Sequence, residues 1–124
     1  MPRRGLPVRR ARGGRALNAK SERDAAYFTL LRAREEREGL LRYGEYLQAE
    51  LARLEGFATQ TRVLAEPLPR GLRRPVDASA KPLLEAVGRR RALLLDEQRR
   101  MGDRVANAER FVDECEAEVD ALRR

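Results

Sequence analysis

The stretch Leu84–Leu122, LEAVGRRRALLLDEQRRMGDRVANAERFVDECEAEVDAL, decides the fold. Its apolar residues recur in alternating steps of three and four: Leu84, Val87, Leu94, Met101, Val105, Ala108, Val112, Cys115, Val119 and Leu122. Only Arg91 and Gln98 interrupt the row. Such steps keep side chains on one stripe of an α-helix, and an average period of 3.5 residues suits packing against another helix.

Upstream of this row lies its counterpart. Ala26, Leu30, Ala33, Arg37, Leu40, Gly44, Leu47, Leu51, Leu54, Ala58, Thr61 and Ala65 follow the same three/four alternation. Small residues and Arg37 dilute it, and its firm part runs from Leu40 to Leu54. Gly39, Gly44 and Gly56 each cost a helix roughly 1 kcal/mol relative to Ala, so packing rather than propensity must hold this one. Ser21 with Glu22 and Asp24 reads as an N-cap followed by acids in the first turn, which predicts a helix over 21–65.

Between the two rows, Pro67, Pro69, Gly71 and Pro75 punctuate the chain. Prolines this dense predict a non-helical connector over 66–78. Ser79 can cap a second helix and Pro82 fits a first turn, giving a helix over 79–123. The expectation is an all-α protein: two long helices forming an antiparallel helical hairpin or coiled coil. Facing residue numbers would then sum to about 145, putting Leu30 near Cys115 and Leu54 near Arg91. The helix-packing positions are Leu40, Leu47, Leu51, Leu54, Leu84, Val87, Leu94, Met101, Val105, Val112, Cys115, Val119 and Leu122. A hairpin buries one stripe per helix. Apolar residues off the stripes (Tyr27, Leu41, Tyr46, Phe57, Leu93, Leu95) stay uncovered, which implies protein partners in a homo- or hetero-oligomer.

Before the first helix, residues 1–20 form an Arg-rich segment read as an extended arm. It holds seven bases (Arg3, Arg4, Arg9, Arg10, Arg12, Arg15, Lys20) and no acid, with Pro2, Pro7, Gly5, Gly13 and Gly14 opposing a helix. The other 104 residues carry 20 bases and 20 acids, so the whole net charge of +7 belongs to the arm. Guanidinium groups bind phosphate and carboxylate bidentately. The arm is therefore a candidate tether to a polyanion, either nucleic acid or an acidic protein surface. A second basic patch surrounds the connector: Arg70, Arg73, Arg74, Arg89, Arg90 and Arg91.

Enzyme chemistry finds little to work with. The chain has no His, and its only serines, Ser21 and Ser79, sit at expected helix starts. Its one cysteine, Cys115, lies on the apolar row and reads as a core residue rather than a metal ligand. Runs such as Glu35, Glu36 and Glu38 alternate with Arg at helical spacing and read as solvated faces. No cofactor, metal or small-molecule substrate is expected. No stretch reaches the roughly 18 apolar residues of a membrane span, and a single cysteine allows no internal disulfide, so the expected setting is intracellular. The leading functional expectation is a non-enzymatic structural or adaptor subunit of a multi-protein assembly, docking through the coiled-coil stripes (Leu47, Leu51, Leu54, Leu94, Met101, Val105 and Val112) and tethered by the Arg-rich arm to a polyanionic surface. The alternative is a nucleic-acid-binding protein whose arm and basic connector patch contact an RNA or DNA backbone and whose coiled coil serves for dimerisation.

Overall fold

The computed structural model describes the backbone from Gly5 to Arg124 and the side chains from Ala16 onward. Two helices account for nearly all of it: α1, Gly5–Ala65, and α2, Arg70–Arg123. Their packing divides into two units, one of residues 1–39 with 105–124 and one of residues 40–104.

The first unit pairs the early part of α1 with the end of α2. Leu30, Ala33, Val112, Cys115 and Val119 form one buried cluster, with Ala26 packed against it. Arg34 Nη2 donates to Glu116 Oε1 across the pair at 3.2 Å. Both partners are nearly half exposed, so this bridge contributes at most about 1 kcal/mol. The cluster carries the stability, since each buried Leu or Val is worth roughly 1.5–3 kcal/mol.

The second unit is a helical hairpin. Leu47, Leu51, Ala65, Leu94 and Met101 are its buried residues, Leu47 being 1% exposed. A Cβ at Gly44 would lie 4.0 Å from Met101 Cε, and Glu55 Oε1 accepts from Arg91 Nε at 3.1 Å. Numbers rise along α1 as they fall along α2, so the pair is antiparallel, and 44 with 101 gives the sum of 145. Among the described residues no polar or charged side chain is buried. Every position of the α1 stripe from Ala26 to Ala65 is buried or half-buried. So is every apolar position of the α2 row, while the interrupting Arg91 is exposed.

Two boundaries differ from those the sequence suggests. The helix expected to begin at Ser21 is already under way: α1 runs from Gly5, and Ser21 sits inside it, exposed. Ala16, Leu17, Ala19 and Lys20 are good helix formers, Pro7 falls in the first turn where no intrahelical N–H bond is needed, and Gly13 and Gly14 weaken a helix without forbidding it. The backbone from Gly5 is therefore helical rather than an extended arm. Arg3 and Arg4 lie outside the described residues, as do the side chains of Arg9, Arg10, Arg12 and Arg15.

The connector is also shorter than 66–78. Of that span only residues 66–69 are non-helical. The Pro69 carbonyl accepts from Leu72 N at 2.9 Å and Arg73 N at 2.8 Å, so Pro69 serves as the cap from which α2 starts at Arg70. Proline before a first turn sacrifices nothing, because the N–H groups there lack intrahelical partners. Pro75 and Pro82 then lie inside α2, each removing one i→i−4 bond.

Candidate interaction surface

With the two stripes facing each other, what remains for other molecules is the outside of the helix pairs. In the second unit the apolar residues left over are not scattered. Tyr43 and Tyr46 stack at 6.2 Å between ring centroids and, together with Leu93, line one groove beside Arg90, Glu97 and Arg100. Tyr43 Oη donates to Glu97 Oε1 at 3.4 Å, which ties the two helices on this flank. Arg104 Nη1 also donates to Glu97, at 3.1 Å, so the carboxylate is neutralised within the chain.

Heptad spacing extends the flank. Phe57 and Leu64 lie two and three heptads beyond Tyr43 on α1, and Leu83 lies two heptads before Glu97 on α2. A seven-residue step returns to nearly the same side of a helix. All three are exposed, Leu64 the most at 69%, as are Tyr46 (52%) and Leu93 (63%). Leu72 and Val76, also exposed, continue the same spacing toward the start of α2. The opposite flank is different in kind: Leu54, Glu55, Ala58, Thr59, Arg62, Gly88 and Arg91 line it, with the Glu55–Arg91 bridge across the seam. Leu41 is the large exposed apolar residue on that side.

The basic connector patch is not one surface. Arg70, Arg73 and Arg74 crowd the first turns of α2, exposed, with Asp77 3.9 Å from Arg73. Arg90 turns to the tyrosine groove and Arg91 to Glu55 on the other flank, with Arg89 between them, because successive residues diverge by about 100° around a helix. Roughly 24 Å of helix separates Arg74 from Arg90.

Cys115 belongs to the core of the first unit and is free. Burial pushes its thiol pKa up, and the neighbouring carboxylates of Glu114 and Glu118 push the same way. Since the thiolate is the nucleophile, Cys115 should react with thiol reagents at pH 8 roughly tenfold or more slowly than an unfolded cysteine. Thiol titration with and without denaturant checks this; equal rates would place the residue outside the core. Among the described residues no three His, Cys, Asp or Glu side chains gather as a metal site, and no helix is long and apolar enough to cross a membrane.

The sequence marks Tyr46, Phe57 and Leu93 as uncovered but not the flank they belong to. It does not mark Tyr43, Leu64, Leu72, Val76 or Leu83. The signal was present as a second seven-residue spacing offset from the main stripe, Tyr43, Phe57 and Leu64, broken by Glu50. Comparison with protein-family models, with curated proteins and with solved structures finds no match.

Proposed function

We propose that the protein is a non-enzymatic structural subunit that docks into a larger multi-protein assembly through the tyrosine-bearing flank of its second unit. The Arg-rich residues 1–20 tether it to a polyanionic surface. One observation carries the reading: large apolar side chains gather on one flank of a helix pair whose own stripes are already spent on each other. Exposed apolar surface of this extent, rimmed by polar groups, marks a contact site. The stripe residues Leu47, Leu51, Leu94, Met101 and Val112 then hold the fold, and docking belongs to residues off the stripe. In cell extract the full chain should elute well above its own mass. Leu93→Glu should return it to its own mass, and deletion of residues 1–20 should leave the assembly intact. Elution of the unaltered chain at its own mass would contradict the proposal.

A second reading, nucleic-acid binding, is favoured by the seven bases without an acid in residues 1–20 and by the absence of any acid in the first turn of α2. Its signature is salt dependence. Duplex DNA affinity should fall with a log–log slope of about −0.9 per phosphate neutralised and vanish on deletion of residues 1–20. Fluorescence anisotropy against salt measures it, and a slope near zero would remove this reading.

A further inference from the structure

We propose that the first three turns of α2 bind duplex DNA by lying in its major groove. This rests on the nucleic-acid reading and gives it a second contact besides residues 1–20.

The start of α2 has no partner helix. In the register that sets Gly44 against Met101, the last residue of α1, Ala65, faces Ala80. Residues 70–79 therefore extend roughly 15 Å past the end of α1. Every one of them is exposed, and the groove at this end is lined by Arg70, Gly71, Arg73, Arg74, Pro75 and Asp77, with nothing from α1. The row of α2 that packs on α1 changes character at the same point. Leu94, Val87 and Ala80, buried or half-buried, lead back by sevens to Arg73; Leu84, half-buried, leads back to Asp77 and Arg70. Positions that are apolar against α1 become charged where α1 is absent. This stretch is made for an ionic contact, not for another apolar helix.

Charge and shape select the occupant. Residues 70–81 hold four bases, Arg70, Arg73, Arg74 and Lys81, and one acid, Asp77. At about 100° per residue all five fall within one stripe roughly 100° wide. Asp77 stands 3.9 Å from Arg73 with both side chains more than half exposed, so the pair holds the arginine only weakly. The stripe thus offers guanidinium forks to phosphates and to guanine edges. No aromatic residue lies in the stretch to stack the bases of a single strand, and the narrow major groove of duplex RNA admits no helix. The major groove of B-DNA, about 12 Å wide, does. The seven bases of residues 1–20 suit the same polyanion.

Fluorescence anisotropy of the full chain on a DNA duplex of about 20 base pairs, titrated with salt, tests it. Arg73→Gln with Arg74→Gln should weaken binding about 10-fold or more at low salt and reduce the log–log salt slope by about 1.8, two phosphates' worth. Asp77→Asn should tighten binding. Helical circular dichroism should not change, because all three residues are exposed; should the double variant lose helix, Arg70→Gln with Lys81→Gln gives the same readout. Methylation of guanine N7, a major-groove atom, should weaken binding of the unaltered chain. An unchanged affinity on N7 methylation overturns the proposal, as does equal affinity for single-stranded DNA or duplex RNA. Polyglutamate competing as well as duplex DNA would assign the stripe to an acidic protein instead. A double variant that matches the parent, while deletion of residues 1–20 abolishes binding, refutes the role of α2 and spares the nucleic-acid reading. A parent chain without salt-dependent DNA affinity ends both.

Discussion

Leu47→Asp should abolish the fold of the second unit. Leu47 is 1% exposed and sits midway along the buried row of α1 between Gly44 and Leu51. Truncating such a leucine to alanine costs about 2–5 kcal/mol through lost transfer energy and the cavity left behind. Aspartate adds the desolvation of a charge with no partner, because no polar side chain is buried alongside it. Set against the 5–15 kcal/mol that typically separates folded from unfolded chains, the total removes most or all of the stability. Thermal melts by circular dichroism should show the cooperative transition lost or moved below room temperature. Leu41→Gln, exposed on the same helix, should cost about 1 kcal/mol or less. Equal effects at the two positions would mean that the α1 stripe is not packed.

Pro82→Ala should do the opposite and stabilise the protein. Pro82 lies well inside α2, where a proline forfeits a backbone hydrogen bond and clashes with the carbonyl four residues before it, at a cost of about 3 kcal/mol. Up to about 1 kcal/mol is returned by the restriction proline places on the unfolded chain, leaving a net gain near 2 kcal/mol for alanine. For a domain of this size that raises the melting temperature by roughly 10 °C. The measurement separates two structures. If the second helix began at Ser79, as the sequence alone suggests, Pro82 would occupy its first turn and alanine would gain nothing. No change in melting temperature would therefore contradict a helix that starts at Arg70.

Those prolines mark where the sequence ceases to be legible. Periodicity found both stripes because burial imposes it on every turn: Leu30, Leu47, Leu94 and Val112 had to lie on one side to be covered at all. Boundaries carry no such constraint. Pro75 and Pro82 argue locally against helix, yet α2 runs through them. Local propensity worth a few kcal/mol yields to a helix that is cooperative over 54 residues. The same holds at the other end, where Ser21 looks like a cap and is passed over. The flank of Tyr43, Phe57 and Leu93 was half legible. Its residues could be named as uncovered, but placing them on one side of a pair requires knowing how α1 and α2 face each other. The contact between Tyr43 and Glu97 supplies that. The basic patch divides for a related reason: Arg90 and Arg91 are neighbours in sequence but point to different flanks.

All of this depends on antiparallel burial of one stripe against the other, and a thiol placed at position 30 tests it most directly. Leu30 and Cys115 share one buried cluster although they come from opposite ends of the chain. Oxidation of Leu30→Cys should give an intramolecular disulfide: a faster-migrating monomer on a non-reducing gel, with both thiols consumed. Val105→Cys, about 15 Å from Cys115 along the same helix, should give none. Disulfide-linked dimers, or two free thiols, from Leu30→Cys would contradict the pairing of α1 with α2.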